Sequence, residues 1–299
     1  MQNTEQTQRY TRHSLVKKYV DGETKAERKA RKLKEKQAKA LNEIAKLDQE
    51  TGLIDLPYNA NPLIKDKYYV LCLKHGTKYS FDYVNKLYEM VKRNCTLDFE
   101  MVCLTDDPKG IDPRVKILPL PNFLTGWWCK PYIYSNDLPL KGTILYIDLD
   151  VVIAGNIDKL FTYQPDHWCT VRDFTRAMRP KWKKYNSSVV KFKTGQLHHV
   201  WENFQKDYKS IQRRLFGDQD WLWEASQNHQ AMLYPDTWVQ SWKWEVRKTK
   251  EFAHGGMKGN RKFKHIEDVI PRVECCICVF HGDPNPHNCE DPWVVKNWN

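Results

Sequence analysis

Residues 144–153 read ILYIDLDVVI: eight apolar side chains around two aspartates, with no Gly or Pro. A run this apolar and this β-branched suits a strand buried on both faces, the habit of parallel sheets. The two carboxylates at its end then need an explanation. Like charges buried together are costly unless something positive compensates them. Magnesium or manganese would do so, because hard carboxylate oxygens suit such ions, which also bind substrate phosphates. The simpler alternative is a strand end whose acids cap a loop and meet lysines.

The flanking sequence sets this strand in a series. DKYYVLCLK around Tyr69, FEMVCLTDD from Phe99 and VKILPL near Ile117 are further short, β-rich runs. FDYVNKLYEMVKRN from Phe81 repeats its apolar residues at helical spacing, and WWCKPYIYS from Trp127 reads as helical despite Pro131. KGTILYIDLDVVI from Lys141 is the fourth and most apolar strand. Such alternation predicts an α/β sheet with helices on both faces. Ligands bind such sheets beyond the carboxyl ends of the strands. Asp106, Asp107, Asp148 and Asp150 fall at such ends. No internal repeat is visible.

Ahead of this domain, residues 24–47 (TKAERKARKLKEKQAKALNEIAKL) predict a basic helix with a thin apolar stripe at Leu33, Leu41, Ile44 and Leu47. It reads either as a solvated helix or as a polyanion-binding arm. TGLIDLPYNANPL from Thr51 is punctuated like a linker. The division expected is a basic helical extension and linker over 1–60 and a catalytic domain over 61–299. The 299 residues carry a formal net charge of +11, which favours polyanion partners without naming one. No apolar window is long enough to span a membrane. The first residues lack the apolar run of a secretory signal, so a cytoplasmic protein with mostly reduced thiols is expected.

Five motifs carry a resemblance. Asp148-Leu149-Asp150 after ILYI resembles the Asp-x-Asp motif of GT-A glycosyltransferases, in the glycogenin-like and lipopolysaccharide galactosyltransferase-like branch. VFHGDPNPH from Val279 is similar to that branch's His-x-Gly-x-x-Lys-Pro segment, with Asn285 where a Lys often sits. GDQDWLW from Gly217 resembles its Asp-Gln-Asp segment, and YNSSVVKF from Tyr185 its Asn-Ser-Gly-Val strand, with Ser188 replacing the Gly. GWWCKPYIYS resembles a Trp-x-Lys segment of related bacterial and bacteriophage enzymes. The likeness runs from about Lys65 to Trp298, and the first sixty residues have no counterpart.

The resemblance implies a GT-A (Rossmann-like) mixed sheet flanked by helices. It implies a metal-dependent hexosyl- or pentosyltransferase, of the retaining kind, using a UDP-sugar. Asp148, Asp150 and His281 would hold Mn2+ or Mg2+. Lys130, Asp148, Leu149, Asn186, Ser187, Gln219 and Gly282 would meet the donor, and Asp220 and Asp218 would serve the chemistry. Metal and Lys130, with Arg172, would offset charge on the leaving diphosphate, while a nearby carboxylate would help the oxocarbenium-like sugar. An inverting variant would take Asp173 or Asp220 as base.

The acceptor divides into two readings. A hydroxymethylated pyrimidine in phage DNA fits the basic arm, the basic loop HGGMKGNRKFKH at 254–265 and the bacteriophage likeness, and would place the protein in the host cytoplasm. A saccharide or lipid-linked glycan is the alternative. Readings of another class are a non-enzymatic nucleic-acid-binding protein and a metal-dependent nuclease or phosphotransferase. Cys275, Cys276 and Cys278 fit a buried strand better than a zinc site. Trp238, Trp242 and Trp244 fit either core packing or stacking on a base or sugar.

Overall fold

The computed structural model describes residues 31–32, 67–247 and 270–299. The chain divides into units Met1–Ile64 and Lys65–Asn299. The basic helix, the linker and the 254–265 loop lie outside the described residues, apart from Arg31 and Lys32.

The larger unit is built on a seven-stranded sheet. Its strands are β1 Tyr68–Lys74, β2 Phe99–Thr105, β3 Lys116–Pro119, β4 Thr143–Ile147, β6 Cys169–Arg172, β7 Tyr185–Lys193 and β8 Met232–Leu233, in the order β3-β2-β1-β4-β7-β6-β8. β3, β2, β1 and β4 run parallel; β7 is antiparallel to β4 and to β6. The sheet is therefore mixed, as expected. β5 Val151–Ile153, β9 Val239–Ser241 and β10 Ile277–Val279 form a second sheet in the order β5-β10-β9.

The long apolar run is thus not one strand. It leaves the first sheet after Ile147 and enters the second at Val151. Periodicity cannot reveal such a switch, since both halves are buried throughout. The three residues between them are Asp148, Leu149 and Asp150.

Alternation along the strands feeds two cores. Val70, Cys72, Met101, Cys103, Leu145 and Ile147 face one way, with helix α1 (Phe81–Asn94) and the second sheet. Tyr83, Val84, Leu87, Met90 and Val91 make one stripe of α1, the spacing of a helix packed on one face. Tyr69, Leu71, Val102, Leu104, Ile144 and Tyr146 face the other way. They meet the 3-10 turn Gly126–Tyr134 and two helices beyond the short α2 (Asp158–Thr162): α3 (His198–Arg214) and α4 (Asp218–Ala225). The chain closes on α5 (Pro292–Asn297). All nine cysteines are free, and Cys275, Cys276 and Cys278 are buried on and beside β10. Trp242 belongs to the core, while Trp238 and Trp244 pack partly buried against it.

A buried arginine ties the loop after β6 to the second sheet. Arg176, with a side chain 2% exposed, donates to Glu245 from Nε and Nη2 at 2.9 Å and to the Val239 carbonyl at 2.7 Å. Arg176→Ala leaves Glu245 nearly buried without its cation, and such breakage costs about 3–5 kcal/mol. The variant is expected to unfold at a clearly lower urea concentration; an unchanged midpoint would refute the role.

Candidate active site

The switch between sheets is held at both ends by main chain. Asp148 N donates to Ser188 O on β7 at 2.8 Å, and Phe280 N, just after β10, donates to Asp150 O at 2.9 Å. Leu149 between them is 2% exposed and packs in the core, so its side chain faces away from any ligand. The two carboxylates project from a segment fixed at three points.

Around Asp148 the charge is balanced. Lys130, on the turn Gly126–Tyr134, places Nζ 2.9 Å from Asp148 Oδ1, 3.2 Å from Ser187 Oγ and 3.4 Å from Asp218 Oδ2. Tyr146 donates its hydroxyl to Asp148 Oδ1 at 2.7 Å, and Ser187 donates to Asp218 Oδ2 at 2.6 Å. Burial opposes charge on Lys130, but Asp148 and Asp218 outweigh it and hold its pKa above the usual lysine value. Burial raises the pKa of Asp218, with Lys130 pulling the other way.

Asp150 is less well served. Burial first, and the Asp148 charge second, push its carboxyl above the ordinary value. Tyr79 donates its hydroxyl to Asp150 Oδ2 at 3.0 Å.

His281 follows β10, one residue beyond the amide that binds Asp150. Its ring stacks on Phe174 at 5.4 Å and meets the edge of Trp244 at 4.7 Å. Burial and the neighbouring Lys243 press its pKa down to about 3, leaving a neutral imidazole. Nε2 lies 2.6 Å from Ser241 Oγ. Asp148, Asp150 and His281 thus sit on adjoining segments. Yet among the described residues no group of three His, Cys, Asp or Glu side chains forms a ready ion cage. What remains is a pair of carboxylates whose repulsion a cation would relieve. Magnesium and manganese commonly take one or two carboxylates and complete their shell with water and substrate phosphate, and the pair fits that mode.

A second polar cluster joins β7 to α4. Asn186 donates to Gln219 Oε1 at 2.9 Å, Gln219 donates to Asp173 Oδ2 at 2.7 Å, and Asp173 Oδ1 accepts the Thr175 amide at 2.9 Å. Asp220 pairs with Lys184 at 2.9 Å. Gly282 has φ +96, and a Cβ there would stand 3.1 Å from Lys243 Nζ. Arg172 is drawn elsewhere: it pairs with Asp236 and donates to the Pro180 carbonyl at 2.6 Å. Sequence reasoning missed Tyr79, Tyr146, Ser241 and Lys243. Only Tyr146 left a signal, a polar-tipped residue two positions before an acid in an otherwise aliphatic strand.

No family model and no curated protein matches the sequence. Solved structures do. The galactosyltransferase LgtC, in complex with donor and acceptor sugar analogues, aligns at TM-score 0.52 and 10% identity over 76% of this chain and 93% of its own. This is the GT-A fold. The glycosyltransferase GlyE of Streptococcus pneumoniae TIGR4 aligns at 0.52 and 12% identity over 78% of this chain and 62% of its own. The bifunctional glycosyltransferase WbbM, in its apo structure, aligns at 0.52 and 11% identity over 80% of this chain and half (50%) of its own. At such identities the likeness is one of fold. Within the GT-A fold here, Asp148 and Asp150 lie just past the carboxyl end of the β4 segment Thr143–Ile147, where α/β sheets take ligands.

The balance at Lys130 makes a pH prediction. Asp218 has a folded pKa above its unfolded value, so its contribution to stability falls as pH rises through the folded value. Lys130→Met removes the opposing charge and enlarges this effect. The variant's melting temperature is expected to fall below wild type by more at about pH 8 than at about pH 4. Equal losses at both would separate Lys130 from the carboxylates.

Proposed function

We propose that this protein transfers a sugar from a nucleotide diphosphate sugar, taken as a UDP-sugar, to a hydroxyl acceptor. The observation that carries the reading is the Asp148-Leu149-Asp150 segment, strung between two sheets at the ligand-binding edge of a GT-A fold. Asp148 and Asp150 would hold Mn2+ or Mg2+, with His281 as a neutral neighbour available to the same ion. Such an ion supplies Lewis-acid stabilisation of charge on the leaving diphosphate.

The chain's own residues account for the rest. Lys130 binds on the donor side, where Asp148 and Ser187 fix its ammonium. Lys243 supplies a second cation. Its side chain is buried and donates to the His281 carbonyl at 3.1 Å. No carboxylate among the described residues lies within ion-pair distance of it. Asp283 and Asp150 act on it only at longer range, against the burial that lowers its pKa. Lys243 therefore stands in for the cation that Asn285 does not provide. Asn186 and Gln219, locked through Asp173, orient the sugar. Asp218 and Asp220 each carry a lysine, and both oxygens of Asp173 already accept hydrogen bonds. Retention, with the leaving phosphate accepting the incoming hydroxyl's proton, is taken from the resemblance to the retaining branch.

Among the described residues no helix is long and apolar enough to cross a membrane. Two of the sequence features that favoured DNA as acceptor, the arm and the 254–265 loop, lie outside the described residues; a separate surface bears on the acceptor below.

UDP with Mn2+ is expected to raise the melting temperature of the wild type, and Asp150→Ala to abolish that shift and cut donor hydrolysis at least about a hundredfold. Retention of both by Asp150→Ala would sink the metal role. Tyr79→Phe removes only the hydroxyl that orients Asp150, so calorimetry should find Mn2+ affinity in the presence of UDP lower by about tenfold. An unchanged affinity would reduce Tyr79 to a packing residue.

A further inference from the structure

Residues 176–184, between β6 and β7, read RAMRPKWKK: five cations, one tryptophan, no acid. Arg176 is consumed by Glu245 and Lys184 by Asp220. Arg179, Lys181 and Lys183 are exposed, and none has an acidic partner among the described residues. Trp182 sits between the cations, with Arg179 at 5.8 Å and Lys184 at 6.0 Å from its ring.

This basic segment reaches the first turn of α4 through the Lys184–Asp220 pair. Trp127, 60% exposed, meets the start of the same helix, with Cδ1 and Nε1 3.7 Å from where a Cβ on Gly217 would be. Phe216, 94% exposed, precedes that glycine. Asp218 follows the glycine that meets Trp127, and Asp220 meets the basic segment through Lys184. Exposed rings beside one another are a commoner mark of a contact surface than single ones. Here they adjoin the start of α4, whose Asp220 ties in a segment with three cations that have no acidic partner among the described residues.

We propose that this rim binds the acceptor and that the acceptor is a nucleic-acid strand. Its phosphates lie on Arg179, Lys181 and Lys183, and a base stacks on Trp127 so that a hydroxyl borne by the strand meets the donor sugar beside Asp218 and Asp220. The pairing of cations with flat rings is the recognition chemistry of single strands. An anionic lipid surface would use the same cations and take the rings at its interface; the contact of Trp127 with the glycine that opens α4, one residue before Asp218, favours a base stacked at the polar site. In the transfer, the acceptor oxygen bonds to the anomeric carbon as the bond from that carbon to the diphosphate breaks. The nucleoside diphosphate leaves with the electron pair and accepts the hydroxyl proton. This inference rests on the donor reading above.

The test uses the full chain and a fluorescein-labelled, pyrimidine-rich single-stranded DNA, followed by anisotropy across about 50–200 mM salt. In R179A/K181A/K183A the slope of log K against log salt is expected to be shallower by about 2, near 0.7 for each phosphate no longer neutralised. W127A is expected to bind about tenfold more weakly with the slope unchanged, the mark of missing stacking. A control of equal charge change on α1 and the edge strand β3, K86A/K92A/K116A, should keep the wild-type slope. The inference is overturned if R179A/K181A/K183A matches either wild type or the control, or if the wild type binds phosphatidylserine vesicles and ignores the oligonucleotide. Stabilisation of the unaltered protein by UDP with Mn2+ reads the donor assignment separately, so failure of one is distinguishable from failure of the other.

Discussion

Everything in the candidate site hangs from a chain segment that belongs to two sheets at once. Asp148 takes its main-chain bond from β7, Asp150 from the residue after β10, and Leu149 is sunk in the core between them. A strand that simply ended would let its acids relax into solvent. Here the ladder on either side and the buried leucine deny them that freedom. The fold therefore gives up stability to keep two carboxylates close, one of them 8% exposed. Such a cost is the usual signature of a site kept for function.

The charges around that segment are divided. Lys130 neutralises Asp148 and Asp218 by direct contact. Asp150 has a tyrosine hydroxyl and, among the described residues, no cation in contact. The nearby imidazole is held neutral by burial and by Lys243, so it adds no positive charge. Lys243 in turn is buried against a carbonyl. The site thus contains an acid short of positive charge and a lysine short of negative charge. A cation bound to a diphosphate would answer both at once, and neither component alone would.

Much of this was legible in the sequence. The apolar runs and their alternation announced a buried sheet, and Asp148, Asp150, Lys130, Asp218 and Ser187 do converge. Other features left no local trace. The switch of sheets inside ILYIDLDVVI is invisible because both halves are equally buried. Arg172 read as a free cation near the site, but Asp236, sixty-four residues later, claims it. Lys243 lay in a tryptophan-rich stretch and was hidden by it. Its meaning comes from its bond to the carbonyl of His281, thirty-eight residues away. Local pattern reports burial and periodicity; it does not report which distant partner takes a charge.

The two halves of the site also differ in what constrains them. Donor-side groups grow from strands and their immediate ends, where register and packing leave one geometry. The acceptor-side rim is an exposed segment between β6 and β7 and a turn before α4, where residues change at little cost to the core. A shared sheet therefore speaks for the fold, and the chemistry has to be argued from the residues at its edge. That asymmetry explains why a chain about a tenth identical to its glycosyltransferase neighbours can keep the same sheet. On the acceptor-side rim Arg179, Lys181, Lys183 and Trp127 are exposed, so substitution at these positions leaves both cores intact.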